Sequence, residues 1–582
     1  MDNDVVADIL NEIGVLLEVK GENPFKTRAY TNGARTIENL DEPLADIIAA
    51  DRLKGIKGIG KALQEKVTTL VTTGELEYYE NLKASIPQGL IEMLNIPGMG
   101  PKKVKAVWYE LSITTVDELA EACRSGKVEK LSGFGKKTAE KIVEGIEFRK
   151  RFGDKHRLDD TFPVAQEILD GLRSHPDVAR CEIAGSLRRW KETVGDLDFV
   201  VSSKNPAPVL EWFASMPGIM NVIVKGDTKT SVNLEGGVQA DLRVVADEEY
   251  PFALAYFTGS KEHNIVMRQR AIERGLRLNE YGLFKSQEET RDPQLRVDCK
   301  TEEEIFKALD LEFIPPELRE DKGEFKASEA GELPRLLEWT ELKGSLHNHS
   351  TWSDGKQSLE EVAEAACAAG CAYWAITDHS RSSFIANGLD EERLLKQLDA
   401  ITEVNNHYEA DGSDFRLLTG SEVDILAKGK LDFSNDLLRK LDVVVASIHQ
   451  GFGGNEDEMT KRLVRAAENK HVHMLGHITG RLLLERDAYK LNQRKVIDAC
   501  AANGTWIELN ASPYRMDMDW RLWGYAKEKG VKCVINCDAH RHEHFGYLRL
   551  GAGVARKGWL TADEVVNTYP LPKLKQALAK EQ

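Results

Sequence analysis

The last 240 residues contain seven short apolar runs separated by longer stretches with helical periodicity. This alternation predicts β-strands joined by helices, and repeated strand–helix units close into a barrel. Each run stops at, or just beyond, a side chain that can bind a metal ion. These run ends are His347-Asn348-His349, Asp378-His379, Glu422, His449, His477, Asn510 and Asp538-Ala539-His540. Because parallel strands end at one face of a barrel, the pattern predicts one multinuclear metal site.

The side chains in this set indicate which metals the site suits. Imidazoles and carboxylates together suit manganese, zinc or iron. No cysteine belongs to the set, which argues against a closed structural zinc site. Asp354 adds a carboxylate in the stretch SLHNHSTWSDG, directly after the first run.

These motifs resemble the polymerase and histidinol phosphatase (PHP) family of metal-dependent phosphoesterases, over roughly residues 343–582. The resemblance implies a distorted (β/α)7 barrel that binds about three divalent ions, Mn²⁺ or Zn²⁺. The ligands it implies are His347, His349, Asp354, His379, Glu422, His449, His477, Asp538 and His540. Ser345 departs from the family pattern, since many relatives have an acidic residue there. The departure affects a contact behind the ligands and leaves the ligands themselves in place.

The length of 582 residues is too great for one hydrophobic core, so about three or four units are expected. No apolar run reaches the roughly 18 residues of a membrane span. The start MDNDVVADIL lacks the basic and apolar regions of a secretory signal. We therefore expect a cytoplasmic protein with no membrane partner. The eight cysteines are expected to be reduced thiols, because they form no dense disulfide framework.

The net charge of −17 does not exclude nucleic acid as a partner, because binding depends on local charge. Residues 101–157 contain 14 Lys and Arg against 9 Asp and Glu. Acidic residues elsewhere are what metal sites and solvated helix faces supply. This locally basic segment is therefore a candidate surface for binding phosphates.

Three similar segments near the amino terminus strengthen that interpretation: GIKGIGKALQEKV from Gly55, IPGMGPKKVKAV from Ile96 and LSGFGKKTAEKIV from Leu131. Each combines Gly-x-Gly with lysines and a helical apolar period, and the three resemble helix-hairpin-helix motifs. Glycines let backbone amides at the next helix start approach a phosphate, while lysines add charge. The candidate DNA contacts are Gly58, Gly60, Lys61, Gly98, Gly100, Lys102, Lys103, Gly133, Gly135, Lys136 and Lys137. Such contacts bind DNA without reading its sequence.

The middle of the chain contains a set of carboxylates typical of nucleotidyl transfer. In GSLRRWKETVGDLDFVV, Asp196 and Asp198 are two residues apart at the head of a predicted strand, so they share one face. Asp241 comes from a second strand, in GGVQADLRVV. Three close carboxylates repel one another unless cations lie between them, and two Mg²⁺ or Mn²⁺ ions fit this arrangement. Ahead of them, Gly185 permits close backbone approach to a phosphate, and Ser186 and Arg189 can donate hydrogen bonds to it.

This region, over roughly residues 1–320, resembles the family X DNA polymerases, of which polymerase beta is the familiar member. The resemblance implies that Asp196, Asp198 and Asp241 bind two metals and that Arg243 tunes them. It implies nucleotide contacts from Gly185, Ser186, Arg189, Gly195, Tyr256, Phe257, Gly259 and Asn264. Tyr256, Phe257 and Gly259 would exclude a 2′-hydroxyl, and Arg268 would approach the template strand. Deoxynucleoside triphosphates and gapped or nicked, 5′-phosphorylated DNA are the implied partners of a monomer.

Lys66, eight residues after Gly58, matches the Schiff-base lysine of the family's deoxyribose-phosphate lyase. A lysine held near phosphates forms a Schiff base with an abasic sugar when burial or neighbouring charge lowers its pKa. Lys26 and Tyr30 match supporting positions in the family. Ala62 stands where a second basic residue is expected, which weakens the case for lyase activity.

The resulting fold prediction is a multidomain α+β and α/β chain with a helical helix-hairpin-helix region, a nucleotidyltransferase palm and a PHP barrel. Pro315-Pro316 and LREDKGEFKASEAGELP interrupt the periodicity before the barrel. The predicted boundaries are 1–85 for a lyase-like domain, 86–157 for a DNA-binding subdomain, 158–250 for the palm, 251–320 for a nucleotide-selecting subdomain, 321–342 for a linker and 343–582 for the PHP domain.

The predicted function is filling of short gaps in DNA base excision repair by a polymerase with an associated phosphodiesterase. The barrel would act as a Mn²⁺-dependent 3′–5′ exonuclease, an abasic-site endonuclease or a 3′-phosphatase, and the sequence does not choose among them. Two alternatives stay open. A small-molecule phosphatase on a DNA-binding scaffold would use only the barrel, and a noncatalytic DNA-end adaptor would use only the hairpins.

Overall fold

A computed structural model describes residues 3–579, except 39, 41, 95, 97, 154, 287 and 289, and except the side chains of 4 and 148–152. The chain divides into two compact units, residues 1–153 and 154–582. Among the described residues, no helix is both long and apolar enough to cross a membrane.

The first unit is helical. Its helices α1 to α9 are Asn3–Val19, Pro24–Glu38, Leu44–Ala49, Lys61–Thr73, Glu77–Ala84, Gln88–Leu94, Pro101–Leu111, Val116–Arg124 and Lys136–Phe152. Apolar residues three or four positions apart, such as Val6, Leu10 and Ile13 in α1, are fully buried. These buried residues form one core that runs from Val6 to Ile146.

The second unit begins with a five-stranded sheet, the predicted palm. Its helices α10 to α12 are Leu158–Ser174, Gly185–Arg188 and Pro206–Ser215. The strands β1 to β7 are His156–Arg157, Arg180–Ile183, Thr193–Val194, Asp196–Ser202, Ile219–Lys225, Lys229–Leu234 and Gln239–Val245. The sheet order is β2-β4-β7-β6-β5, and β4 and β7 are its parallel pair. The parallel pair places the ends of two non-consecutive strands side by side.

The predicted nucleotide-selecting region and linker follow. They contain α13 to α16, which are Tyr250–Thr258, Lys261–Glu273, Glu302–Ala308 and Glu324–Ala330, and the hairpin β8–β9, which is Arg277–Asn279 and Gly282–Phe284. The predicted linker is packed, since Glu324 and Leu337 are fully buried.

The remaining residues form a parallel barrel that is nearly closed. Strands β10 to β16 are Gly344–Ser345, Tyr373–Ile376, Arg416–Asp424, Val443–Ser447, Met474–Leu475, Trp506–Asn510 and Cys533–Asn536. They pair in chain order, and the bridge Asn348–Ala539 joins the first strand end to the last. Helices α17 to α24 are Leu359–Ala368, Glu391–Ala410, Asn435–Leu438, Glu456–Ala467, Gln493–Asn503, Trp523–Glu528, Tyr547–Lys557 and Leu571–Leu578. The strands are buried on both faces, which explains their continuous apolar sequence.

The palm and the barrel share one hydrophobic core. Phe199 and Phe213 of the palm belong to the same buried cluster as Leu463 and Trp523 of the barrel. A continuous apolar contact of this kind limits motion between the two parts. The predicted fold class is confirmed: a helical hairpin region, a polymerase-like palm and a seven-stranded parallel barrel. The predicted domain boundaries stay a prediction.

Candidate functional site

The structure brings all nine predicted barrel ligands together at the carboxyl ends of the strands. Potential ligand atoms lie within 4.8 Å of one another in each of three overlapping groups, and these are His349, Asp354, His379 and His540; His347, His349 and Glu422; and His379, Glu422 and His449. His477 Nε2 is 2.9 Å from Glu422 Oε1, and Asp538 Oδ1 is 3.1 Å from His349 Nε2. Glu422 therefore lies near the centre of the cluster.

The strand ends place these side chains as the apolar runs predict, with one difference. Glu422 lies inside β12, which continues to Asp424, whereas the sequence pattern placed it at a run end. Because Glu422 and Asp424 are two residues apart, they share one face of the strand. Asp424 accepts a hydrogen bond from the ring of His449 at 2.7 Å. The longer strand thus supplies a candidate ligand and the carboxylate that orients another.

The other polar residues at the run ends support the candidate ligands. Asn510 donates to Asp538 at 3.0 Å. Asp378 is fully buried and accepts hydrogen bonds from the Ser350 amide and hydroxyl at 2.8 and 2.6 Å. Ser350 belongs to the loop that carries Asp354, so Asp378 fixes that loop.

Glu508 is a residue that the sequence reasoning missed. Its Oε1 lies 2.6 Å from His347 Nδ1, and its Oε2 accepts from the His477 amide at 2.7 Å. A carboxylate that bonds the second ring nitrogen of a ligand histidine fixes the ring's orientation. Ser345 instead bonds Asn348 and the Cys537 amide. Glu508 therefore supplies a carboxylate behind His347, where Ser345 offers none. The available sequence signal was a glutamate inside the apolar run WIELN.

The electrostatics of the barrel cluster fit a cation site. Burial raises the pKa of Glu422, but His449, His347 and His379 outweigh burial and hold it well below its usual range. Burial, His540 and His379 lower the pKa of His349 to about 3. Among the residues the structure describes, Nε2 of His347 and Nδ1 of His349 are buried without a hydrogen-bond partner. Buried ring nitrogens normally have one, so these atoms fit ligand positions.

The palm carboxylates form a second, separate group. Asp198 lies directly opposite Asp241 in the parallel pairing of β4 with β7. Asp196, two residues before Asp198, shares its face of the strand. Burial raises the pKa of Asp198 to about 7, and the charges of Asp196 and Asp241 add to this effect. An oxygen-only donor set of this kind fits Mg²⁺ or Mn²⁺.

Lys229 also belongs to this group, although the sequence offered no signal for it. Its Nζ lies 2.6 Å from Asp241 Oδ2, and Gln239 donates to the other Asp241 oxygen at 2.9 Å. Burial raises the pKa of Asp241, but the hydrogen bonds from Lys229, Gln239 and Ser231 outweigh burial and lower it. Lys229 reaches the carboxylates from the neighbouring antiparallel strand β6.

Gly185 has a structural role that only a glycine satisfies. Its φ is +62°, and a Cβ at this position would overlap Asp198 Oδ2. Ser186 follows in the short helix α11, and Gly195 directly precedes Asp196. The motif therefore brings its backbone against Asp198, a candidate metal ligand.

The structure places Arg189 away from solvent. Its Nε donates to Glu320 at 2.9 Å, and its Nη1 donates to the Thr258 carbonyl at 2.8 Å. The Arg243 guanidinium lies over the Phe257 ring, 4.5 Å from the ring centre. Both arginines are thus anchored beside α13.

The aromatic pair on α13 and the helix α14 that follows carry the predicted nucleotide contacts. The Tyr256 and Phe257 rings meet edge to face at 5.2 Å. Asn264 donates to the carbonyls of Tyr256 and Gly259 at 2.7 and 3.2 Å. A Cβ at Gly259 would lie 2.6 Å from the Asn264 side chain. Arg268 and Asn264 line one small cavity with Tyr256, so these three predicted residues share one surface.

The three hairpins of the first unit have the same backbone geometry. The first glycine of each pair, Gly58, Gly98 or Gly133, has a φ between +82° and +103°. The second glycine, Gly60, Gly100 or Gly135, is the N-cap of α4, α7 or α9 and offers no capping side chain. The first amides of each helix are therefore left for another acceptor, as phosphate binding requires.

The hairpin lysines differ in their surroundings. Lys61, Lys102, Lys136 and Lys137 are exposed. Lys103 is half-buried and donates to the Gly98 carbonyl at 2.9 Å. Four of the five predicted lysines thus lie on the surface beside the helix starts.

Lys66 is half-buried on α4, with its Nζ 4.6 Å from the centre of the Tyr78 ring. Tyr78 and Tyr30 have parallel rings 6.3 Å apart. Lys26 pairs with Glu22 at 3.5 Å, on the exposed surface. The structure therefore places Tyr30 near Lys66 through Tyr78, while Ala62 supplies no charge.

Known families match four stretches of the chain. They are a helix-hairpin-helix domain over residues 1–76, a SAM-like helix-hairpin-helix tandem over 90–147, a DNA polymerase beta thumb over 253–320 and a PHP domain over 345–512. The matched stretches cover both candidate DNA-binding hairpin regions, the predicted nucleotide contacts on α13 and α14, and most of the candidate barrel ligands.

Whole proteins similar to the chain agree with these matches. The DNA polymerase/3′-5′ exonuclease PolX of Bacillus subtilis is 39% identical over 574 residues, 98% of each chain. Rat DNA polymerase lambda is 23% identical and covers 54% of this chain and 56% of its own. A probable phosphatase of Thermoanaerobacter sp. is 30% identical and covers 28% of this chain and 69% of its own. At 39% identity over almost its full length, the chain belongs to the family X DNA polymerases that carry a C-terminal PHP domain.

Proposed function

We propose that this protein fills short gaps during DNA repair and that its barrel removes nucleotides from 3′ ends. The observation that supports the proposal is the presence of two separate groups of side chains that can bind metal ions. One is the aspartate group on β4 and β7, and the other is the nine-residue group of the barrel. The Bacillus subtilis relative is named for both a polymerase and a 3′-5′ exonuclease activity. We also propose that the protein acts as a cytoplasmic monomer.

In the palm, Asp196, Asp198 and Asp241 would hold two divalent ions, Mg²⁺ or Mn²⁺. When bound, such ions activate an attacking hydroxyl and stabilise a leaving pyrophosphate. The chain itself supplies the closely approaching backbone of Gly185 and the Ser186 hydroxyl for the triphosphate. Lys229 would release Asp241 to the metal, since one carboxylate oxygen cannot serve both equally well. The polymerase chemistry thus rests on positions already fixed by strand pairing.

Next to this centre, Tyr256 and Phe257 would exclude a ribonucleotide by occupying the space of its 2′-hydroxyl. Asn264 would contact the minor-groove edge of the incoming base, and Arg268 would approach the template strand. The packing of Asn264 against Gly259 supports this proposal, because it fixes the turn that carries both aromatic rings.

In the barrel, the nine candidate ligands would hold about three Mn²⁺ or Zn²⁺ ions. When bound, adjacent ions of this kind ionise water near neutral pH and stabilise both the attacking and the leaving oxygen of phosphodiester hydrolysis. Glu508 and Asp424 would orient His347 and His449 for this task. Abasic-site endonuclease and 3′-phosphatase activities use the same chemistry and are alternatives to exonuclease.

One assay tests the proposed function. Gapped, 5′-phosphorylated DNA is incubated with the protein, with and without nucleotides, in Mg²⁺ and then in Mn²⁺. We expect extension by one or a few nucleotides when triphosphates are present, and 3′ shortening when they are absent. Phosphate release from sugar phosphates without any change in the DNA would favour a small-molecule phosphatase instead. Binding with neither reaction would favour a noncatalytic adaptor.

The hairpins give a prediction about DNA affinity. Lys136→Ala combined with Lys137→Ala should weaken binding to gapped DNA about tenfold and lower the salt dependence by roughly two counterions, because each phosphate contact releases about one ion. Fluorescence anisotropy across a salt series measures both. Lys54→Ala, which removes an exposed lysine of the same unit, is the control. Equal affinity of the wild-type protein for gapped and blunt duplex DNA would contradict the proposed gap binding.

A second prediction concerns the proposed lyase. Borohydride should trap a covalent adduct between the protein and incised abasic DNA, because it reduces a Schiff base. Lys66→Ala should reduce the trapped fraction at least about tenfold, and Lys26→Ala should reduce it less. Undiminished trapping by Lys66→Ala would assign the nucleophile to another amine.

A further inference from the structure

The turn between the predicted triphosphate contacts and the first metal-binding aspartate is held in an unusual conformation. We call residues 185–195 the nucleotide turn. Trp190, near its centre, has a φ of +53°, which bulky residues rarely adopt. Left-handed backbone at a bulky residue persists only when the surroundings hold it. The residues that hold it therefore influence the adjacent Arg189.

Part of that support comes from the barrel. The Trp190 ring packs against Gly553 of α23, where a Cβ would overlap the ring. On the palm side, the same ring stacks with Phe162 of α10 at 5.2 Å. Glu192 of the turn accepts a hydrogen bond at 3.1 Å from Arg481 of the barrel, with which it forms an ion pair. The barrel thus contacts the turn on both sides of Lys191.

The same barrel helix also reaches the partner of Arg189. Lys557, the last residue of α23, is fully buried and pairs with Glu320 Oε1 at 2.5 Å. Arg189 Nε donates to that same oxygen at 2.9 Å, and Lys191 Nζ is 3.9 Å from Oε2. Glu320 is therefore shared between a nucleotide-turn arginine and a barrel lysine.

Burying a lysine is costly unless its charge is compensated. Burial lowers the pKa of Lys557 to about 8, and the pairing with Glu320 opposes this shift. Lys557 belongs to neither metal centre, so neither centre explains its burial. Its effect is electrostatic: it compensates the negative charge of Glu320 at the same oxygen that Arg189 contacts, where Lys191 is a more distant cation.

We infer that the barrel sets the position and the charge of the polymerase's triphosphate site. In this scheme Lys557 acts on Arg189 through Glu320. Lys557 is a positioning residue in this scheme, and the inference rests on the proposed role of Arg189 in triphosphate binding. With Lys557 present, Glu320 is neutralised and fixed, so Arg189 keeps its charge available for an anionic ligand. Without Lys557, Glu320 would neutralise Arg189 and repel the triphosphate.

Steady-state incorporation into gapped DNA tests the inference. Lys557→Met and Lys557→Gln should both raise KM for the deoxynucleoside triphosphate about tenfold, while kcat changes by less than about twofold. Gln keeps a hydrogen-bonding group and therefore separates loss of charge from loss of packing. Lys557→Arg should restore KM to within about threefold of wild type. Lys529→Met, which removes an exposed barrel lysine, is the matched control and should leave KM unchanged.

A double-mutant comparison tests whether the effect passes through Glu320. In a Glu320→Gln background, Lys557→Met should change KM by less than about twofold, because no carboxylate remains to be neutralised. Nuclease activity and thermal midpoint are measured for every variant.

An unchanged KM in Lys557→Met and Lys557→Gln would overturn the inference while leaving the proposed polymerase intact. Equal losses in extension, trimming and thermal midpoint would also overturn it, by assigning Lys557 a structural role only. If wild-type protein incorporates no nucleotide, the proposed function fails and the inference fails with it.

Discussion

Asp198→Ala is expected to abolish extension of a gapped primer, with kcat falling at least about a thousandfold, while 3′ trimming stays within about twofold of wild type. Asp198 faces Asp241 across the parallel pair and has Asp196 on its own strand face. Removal of its carboxylate therefore takes away a ligand that both proposed palm ions would share. Primer extension on a gapped substrate, followed by gel electrophoresis, measures the effect.

Two further variants make this result specific. Asp198→Asn keeps the shape of the side chain and should lose extension nearly as completely, because the missing charge is what binds the cations. Asp170→Ala removes an exposed aspartate of the same domain and should leave extension unchanged. Normal extension by Asp198→Ala would show that the metal-binding assignment in the palm is wrong.

His449→Ala is expected to have the opposite pattern, with nucleotide-free 3′ trimming reduced by a factor on the order of 10²–10⁴. His449 lies 3.1 Å from Glu422 and is oriented by Asp424, so its removal disturbs the centre of the barrel cluster. Bound manganese, measured by elemental analysis, should fall together with the activity. His349→Ala should act in the same way, since its ring belongs to two of the ligand groups.

The 3′ trimming assay decides this prediction. Because the barrel packs against the palm, loss of a barrel residue can also lower primer extension, so a change in extension does not test the barrel site. His407→Ala removes an exposed histidine on α18 and should change neither trimming nor bound metal. Undiminished trimming with unchanged metal content in His449→Ala would place the nuclease activity outside the barrel cluster.

The family, the fold class and the polymerase-with-PHP character were predictable from the sequence, and the comparisons confirm all three. The reason is that the informative signals are local. A parallel strand buried on both faces reads as an apolar run, and its end is marked by the first polar residue. Asp196 and Asp198 share a face because they are two residues apart, whatever lies around them.

Only the tertiary structure decided which residues support those side chains. Glu508 and His347 are 161 positions apart and meet because their strands end at the same barrel face. Lys229 reaches Asp241 because β6 pairs antiparallel with β7. Such partners depend on strand order and register, which no local pattern specifies.

The same limit applies to the contact between the palm and the barrel. Each half of the chain resembles a known family, but neither motif indicates that Lys557 and Glu320, 237 positions apart, share one buried ion pair. The local sequence of α23 predicts an amphipathic helix and says nothing about its neighbour. Local motifs, and the family resemblances they carry, thus predicted the parts and their chemistry. Packing of distant surfaces decided which charges are buried together, because burial is a property of the assembled fold and not of any segment within it.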